Sequence, residues 1–495
     1  MNDKNNKIDV KQFMKLLGLT SFADEVDEDL IIESSGESDN EIYIKVSKQI
    51  KPVYCPRCNS RMYSKGSITR KVRHPILQNG KTLVVILSQR KYRCTNNICN
   101  LYLNEDFGFV EKYKQISSMT PYMILNDMKD ITLTCAAVSR RYQVSDTYVH
   151  SIMMRYLQFS SLPLSRIISI DEVYLDIEYD KRYVVVIRDF INDDIIEILP
   201  NRYENTIRQF FLSYSLEERS KVEYVISDMY NPYIYATQKY LPAGENIIDS
   251  FHIVEFINRS IRAHINTVKK RYIEKLDKER KDNNFAFNKN YKSRKDSPEL
   301  YLLKRHDWVL LSKPGNEPNI SSKHYCRELN IYPTIERIQK MFMELDPYFE
   351  VYKQLKDKYL NFNDSYIGKV DEAAIALDKL IKEYQSSSYS LFQEFADLLI
   401  KYKPYIINSF TVIKKQKYGT EYYQRLSNGP MEGFNRKPKD MKRMARGFTN
   451  FDFVRNRILF SCRKNASILA IPKDSDYLKQ NYKGKPRGKY KTHNN

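Results

Sequence analysis

The spacing of apolar residues changes several times along the chain and marks out segments of different kind. Met1 to Thr20 is polar and charged apart from one stripe, Val10, Phe13, Met14 and Leu17, which predicts a short amphipathic helix. Asp24 to Asn40 is rich in Asp, Glu and Ser and reads as a solvated acidic linker, so residues 1–40 form a short helix and linker. From Glu41 the pattern alternates as in strands. Its clearest run is Thr82 to Leu87, continuing through Lys91, Tyr92 and Arg93, in a β-rich segment 41–112. In segment 113–163 the spacing becomes helical: Met119 to Met128, then Thr132 to Tyr142, a turn at Gln143 and Val144, and a helix capped by Ser145 that runs through Leu157.

Beyond Pro163 strands and helices alternate. Strands are predicted at Arg166 to Leu175, Lys181 to Arg188 and Asp194 to Leu199, then a helix over Glu204 to Tyr214. A strand at Glu223 to Asp228, a helix after Asn231 and Pro232, and a short strand at Glu245 to Asp249 follow. Three antiparallel strands, a helix, then β-α-β is the order of a ribonuclease-H-like core, whose first part is 164–262. From Ser260 to about Tyr422 the chain is highly charged and helical without a strand order of its own. It reads as an insertion, 263–422, with a mobile-looking run from Lys278 to Asp296 and a core built from Trp308, Phe342, Tyr348 and Phe349. Residues 423–470 complete the core and 471–495 form a basic tail. With the cysteine pairs Cys55/Cys58 and Cys94/Cys99 inside the β-rich segment, the fold class is α/β multidomain: a zinc ribbon and helix-turn-helix, then a ribonuclease-H-like core interrupted by a mostly helical insertion.

Charge narrows the function. Lys and Arg number 81 against 61 Asp and Glu, a net +20, which favours a polyanionic partner, nucleic acid first. No stretch has the uninterrupted apolar length of a membrane helix, and the N-terminus is neither signal peptide nor anchor, so a soluble intracellular protein without membrane partners is expected. Four of the seven cysteines are bunched as Cys55-Pro-Arg-Cys58 and Cys94-Thr-Asn-Asn-Ile-Cys99. Two such pairs complete the closed S₄ shell of structural Zn²⁺, and a reducing cytosol suits them. His74 reads as an ordinary surface histidine rather than a ligand.

In the helical pair, Val138, Val144, Val149 and Ile152 form a small core around Ala136. The exposed start of the second helix, Ser145, Asp146, Thr147, Tyr148 and His150, then faces a DNA major groove, with Arg140 and Arg141 on phosphates. Asp171 lies within the first strand of the core and Asp228 ends the fourth, so the two can meet on adjacent strands. Carboxylates among apolar strands are costly unless a cation neutralises them, and a metal is the economical explanation. Glu432 follows an Asn-Gly-Pro helix start and precedes Arg436, Lys437, Lys439, Lys442, Arg443 and Arg446, a row suited to DNA phosphates.

These motifs, with Ile170-Asp-Glu-Val173, Asp249-Ser-Phe-His-Ile253, Asn428-Gly-Pro-Met-Glu-Gly-Phe-Asn435 and Gly447-Phe-Thr-Asn450, resemble the insertion-sequence DDE transposases of the ISL-three family, in that family's order from about Cys55 to Phe460. The resemblance implies that Asp171, Asp228 and Glu432 hold catalytic Mg²⁺ (or Mn²⁺), and that Asp249 and His252 form an Asp-x-x-His element, with His252 a further catalytic residue. It implies a bacterial protein of the cytoplasm and nucleoid that acts on double-stranded DNA, transposon ends and target, as a homodimer or higher oligomer. Glu172 is a minority alternative to Asp171. The rival readings are a ribonuclease-H-like nuclease without strand transfer and a domesticated transposase acting as a DNA-binding regulator.

Overall fold

The computed structural model describes residues 15, 17, 29–78, 81–112, 114–282, 297–320, 322–417 and 419–474. Most of the N-terminal stripe, the run from Lys278 beyond Asp282, and the basic tail beyond Asp474 lie outside them. The chain divides into two compact units, Met1–Ser160 with Asp440–Asn495, and Ser161–Lys439. No helix among the described residues is long and apolar enough to cross a membrane.

The first unit holds a sheet of β1 (Leu30–Glu37), β2 (Glu41–Lys48), β3 (Val53–Tyr54), β4 (Arg61–Gln78), β5 (Lys81–Cys94) and β6 (Tyr102–Asn104), ordered β1-β2-β5-β4-β3 with β6 on β5. Leu83, Val85 and Leu87 alternate along β5 and bury one face with Ile44, Val46, Val72, Phe107 and Phe109. The expected acidic linker is partly wrong, since Leu30–Glu37 pairs antiparallel with β2. At the sheet edge Leu30 alone among its residues is fully buried, so main-chain pairing tolerates the Ser and Glu side chains.

Three helices follow: α1 (Met119–Lys129), α2 (Cys135–Tyr142) and α3 (Asp146–Tyr156). Helix α2 starts three residues later than its apolar pattern suggests. Asp130 holds Thr132 in a turn, accepting from its N–H at 2.9 Å, and Thr134 caps the helix by accepting from Ala137 N–H at 3.1 Å. Gln143, at φ 51°, closes α2. The chain's last described helix, α15 (Phe451–Cys462), packs on α1 and α3. Its buried Arg457 donates to the carbonyls of Asp130 at 2.6 Å and Leu133 at 2.8 Å.

The second unit opens with β7 (Ile167–Tyr174), β8 (Tyr183–Asp189) and β9 (Asp194–Leu199), then α4 (Glu204–Leu212), α5 (Leu216–Arg219), β10 (Tyr224–Ser227), α6 (Asn231–Tyr240) and β11 (Glu245–Ile248). The sheet order is β11-β10-β7-β8-β9, with β10 parallel to both β7 and β11 and β8 antiparallel to its neighbours. Ile168, Ile170, Val185 and Ile187 pack one face against Ile207, Phe211, Tyr233 and Ala236 of α4 and α6. The opposite face buries Ile167, Ile226 and Ile247 with Leu426.

Helices α7 (Ser250–Asp282), α8 (Pro298–Arg305), α9 (Trp308–Leu311), α10 (Ile335–Met343), α11 (Tyr348–Ser365), α12 (Val370–Gln385) and α13 (Ser390–Asn408) come next. Their core is continuous with Ile234 and Ile248 of the sheet region. Phe342 and Phe349 stack in it with ring centres 5.1 Å apart, and Trp308 packs against it, whereas Tyr348 is 43% exposed at its margin. A hairpin absent from the sequence reading, β12 (Val412–Lys417) and β13 (Thr420–Arg425), precedes α14 (Gly429–Ala445). Its alternation is hidden because Lys415 is buried, its ammonium donating to Phe190 O at 2.6 Å and to Asp193 at 3.0 Å.

Candidate active site

Strand register builds the acidic centre. Ile226 of β10 lies opposite Ser169 of β7, and Ser227 lies opposite Ile248 of β11. Continuing both registers past the strand ends sets Asp171, Asp228 and Asp249 level on three neighbouring parallel strands, spaced by the usual strand separation of about 4.8 Å. Helix α7 starts directly after Asp249 and carries His252 in its first turn. Burial, with Asp228 and Glu172 nearby, pushes the Asp171 carboxyl up to about 6, against the lowering effect of the Glu172 N–H. Asp228 is raised by burial and then by Glu172, and Asp249 by burial. Glu432, in the first turn of α14, is raised by partial burial and by Asp249; His252, Arg436 and Lys439 act in the opposite sense. Glu432 is thus electrostatically grouped with Asp249 and His252, while Asp171 and Asp228 are grouped with Glu172 and His252. Among the described residues these carboxylates do not close into a cluster with all ligand atoms within 4.8 Å; the four bunched cysteines do.

Two elements of this centre escaped the sequence reading. Asn435 donates Nδ2–H to Asp171 Oδ2 at 2.8 Å, while its Oδ1 and both side-chain polar atoms of Asn428 are buried without a partner among the described residues. The signal was present, because Glu432 and Asn435 stand three apart on one helix face. Glu172 is held apart from Asp171: its carboxylate accepts from Arg202 Nη1 at 2.5 Å and from the Tyr233 hydroxyl at 2.7 Å. The Arg202 guanidinium lies over the rings of Tyr183 and Tyr230, at 4.7 and 5.0 Å.

The cysteines converge at one end of the first unit's sheet. Cys55 and Cys58 occupy the turn between β3 and β4, while Cys94 ends β5 and Cys99 lies in the turn that leads to β6. Asn59 at φ 57° and Asn100 at φ 43° close the two turns, a conformation Asn tolerates better than most residues. Sulfur pairs lie 3.6 Å (Cys55, Cys99) and 3.4 Å (Cys58, Cys94) apart. Tetrahedral zinc with Zn–S of about 2.3 Å has sulfurs about 3.8 Å apart, so the set fits structural Zn²⁺. A hydrogen bond from Ser60 lowers the Cys58 thiol to about 6, whereas burial pushes Cys94 up to about 12. His74 takes no part and is not at the surface. It is buried, with Nδ1 2.8 Å from Ser117 Oγ and Nε2 2.5 Å from Leu17 O, because β4 sets it on a face covered by Ser117 and Leu17.

At the helical pair, Ser145 Oγ accepts from Tyr148 N–H at 3.1 Å and serves as a cap beside exposed Thr147. Arg140 is exposed, and Arg141 is paired with Asp127 at 2.6 Å. Two residues expected to be outward are not: Tyr148 is half-buried, and His150 stacks on Phe453 of α15 at 4.3 Å. That covering helix lies some 300 residues away in sequence, beyond any local pattern. Of the basic row on α14, Arg436, Lys437 and Lys439 are exposed in the second unit; Lys442 is half-exposed and Arg443 and Arg446 exposed in the first, with Arg443 paired to Asp440 at 3.3 Å.

A four-cysteine turn pair and a mixed sheet ending in level aspartates define, among the described residues, an α/β protein with a cysteine cluster that could hold a metal and a buried acidic centre. The family model described as transposase, of the ISL-three type, matches residues 168–458, more than half of the chain. The chain belongs to the ISL-three family of transposases, and DNA is the substrate that membership implies. No curated protein matches it.

Proposed function

We propose that the chain is a DDE transposase that binds the terminal inverted repeats of an insertion sequence and catalyses metal-dependent cleavage and strand transfer. The observation that carries this reading is the strand register that sets Asp171 and Asp228 level on neighbouring parallel strands, inside the residues matched by the family. In this reading the mixed sheet is a ribonuclease-H-like core, 164–262, completed by 423–470 across the inserted 263–422. Asp171, Asp228 and Glu432 would hold Mg²⁺ or Mn²⁺. Carboxyls raised by burial and mutual repulsion are relieved by a divalent cation, so the donor set fits a hard, oxygen-seeking ion. When bound, such ions activate the attacking water or 3′-hydroxyl and stabilise the leaving oxygen.

The protein's own part is positional. Asn435 orients Asp171, Glu172 is kept on Arg202 and Tyr233, and Arg436, Lys437 and Lys439 offer charge for phosphates beside Glu432. Sequence reading of the repeats falls to 41–112 and 113–163, with Arg140, Ser145 and Thr147 as base or phosphate contacts. The test is nicking and strand transfer on a labelled transposon end in Mg²⁺. Glu432→Gln, Asp171→Asn and Asp228→Asn should each retain DNA binding and lose roughly a thousandfold or more in rate. Full activity of Glu432→Gln would move the third carboxylate to another residue, and inactivity of the native chain with every divalent metal would favour a DNA-binding regulator.

A further inference from the structure

The sheet that carries the cysteine cluster has two unlike faces. One buries Val53, Met62, Tyr92 and Leu103 against the cysteines. The other presents rings and cations. Tyr54 of β3 pairs with Arg61 of β4; two residues on, Tyr63 of β4 lies opposite Arg93 of β5, and Arg93 lies opposite Tyr102 of β6. Tyr54, Tyr63 and Tyr102 are 58%, 40% and 57% exposed, although tyrosine at such positions could cover its ring by packing. The cations are arranged against the rings. Arg93 lies 5.4 Å from the Tyr102 ring centre while its Nε donates to Asn100 Oδ1 at 2.9 Å, and the Lys65 ammonium lies 5.2 Å from the Tyr63 ring centre.

We infer that this face binds unpaired DNA, stacking bases on Tyr63, Arg93 and Tyr102 while Arg61 and Lys65 neutralise the strand. The argument has three steps. The row Tyr63, Arg93, Tyr102 crosses three adjacent strands about 4.8 Å apart, with the Arg93 guanidinium 5.4 Å from the Tyr102 ring centre, within reach of successive bases on a flexible strand. Aromatic rings on an open sheet offer stacking energy only to base faces, which a duplex hides and a single strand exposes. The interleaved Arg and Lys match the charge of a phosphate backbone and supply cation–π contact at the same positions. An apolar partner would leave these cations desolvated, and an acidic peptide would leave the three rings without work. The inference goes beyond binding of duplex repeats and does not depend on the catalytic reading. It gives the metal module a role in holding strands that separate at a DNA end.

The experiment uses the full zinc-loaded chain, a fluorescein-labelled single-stranded 20-mer of thymidine and a blunt 20-base-pair duplex, at one stated salt concentration. Native protein is expected to bind the single strand, with tyrosine emission quenched. Tyr63→Ala and Tyr102→Ala should each weaken single-strand binding roughly tenfold and change duplex affinity by much less. Tyr63→Phe and Tyr102→Phe keep the ring and should bind as the native chain does, which separates stacking from loss of the hydroxyl. Zinc content by elemental analysis establishes that each variant keeps its metal module. The inference is overturned if the alanine variants bind the single strand as tightly as native protein, or if single-strand and duplex affinity fall together while zinc is retained.

Discussion

His74 should make the first unit acid-labile over a window set by its own burial. Its Nε2 faces the Leu17 carbonyl, so that nitrogen carries the proton, and Nδ1 accepts from the Ser117 hydroxyl. A second proton on Nδ1 would charge a buried ring and force Ser117 to turn away, toward Thr120 Oγ1 at 3.4 Å. Burial accordingly lowers His74 from 6.5 to about 4. The unfolded chain binds the proton first, so the contribution to stability is complete above pH 6.5 and is lost as pH falls from 6.5 toward 4. At 1.36 kcal/mol per unit the loss is about 3 kcal/mol. Amide hydrogen exchange along β4 and β5 localises the measurement to this unit. His74→Gln keeps a donor for Leu17 but has no proton to gain; it should cost about 1 kcal/mol at pH 7 and lack the extra loss of protection below pH 6.5. Cysteine protonation affects both proteins alike, so the difference between them isolates the histidine. Identical pH profiles would refute the argument.

Three further outcomes are expected. Asn435→Ala frees Asp171 Oδ2 and should lower the Mg²⁺-dependent nicking rate roughly tenfold while raising the metal midpoint, as for loss of a residue that orients a metal ligand; an unchanged metal titration would remove Asn435 from the mechanism. Cys58→Ser should abolish zinc binding by elemental analysis and loosen β3 to β6, because closing the shell supplies folding free energy to a small module. Lys356→Met leaves the carbonyls of Leu310 and Leu311 without their ammonium donor, at 2.7 and 2.6 Å, and should destabilise the helical region by about 1–3 kcal/mol. Trp308, the only tryptophan, opens the helix those carbonyls end and reports the change by fluorescence-detected urea unfolding. An unchanged midpoint would mean that water replaces the lysine at no cost.

What the sequence discloses follows from where each element finds its partners. Strands β7 to β11 are largely apolar runs in a mixed sheet buried on both faces, and their limits could be read to within a few residues. The cysteine pairs were equally legible, since local turn chemistry sets their geometry. Strand β1 and the hairpin β12–β13 were not, because their apolar content is thin: β1 is held by main-chain pairing to β2, and the hairpin by its own pairing and by Lys415 reaching Phe190 O and Asp193 far back in the sequence. The same applies to His74 and His150. Nothing near either residue specifies Ser117 or Phe453 as its neighbour, so a surface position was the natural expectation and long-range packing reversed it.

The acidic centre combines both situations, and this decides which of its residues matter most for testing. Asp171 and Asp228 were found from strand order alone, because a parallel pair with known strand ends has little freedom in register. Asp249, which the sequence offered only through the family resemblance, is set level with them by the register of β11. Glu432 lies more than 150 residues beyond β11 in sequence, on a helix whose placement no strand pattern dictates. Arg188 of β8 holds the start of that helix, its Nη1 donating to Pro430 O at 2.9 Å, and the direct contact with an aspartate is the hydrogen bond from Asn435 to Asp171, one helical turn after Glu432. A glutamate presented on an exposed first turn needs such an anchor to stay aligned with carboxylates fixed by a sheet. Substitution at Asn435 should therefore lower activity through the placement of Glu432 as well as of Asp171, and the double variant Asn435→Ala, Glu432→Gln should be little worse than Glu432→Gln alone. Fully additive losses would show that the two residues act separately and that the Arg188 contacts alone set the placement of Glu432.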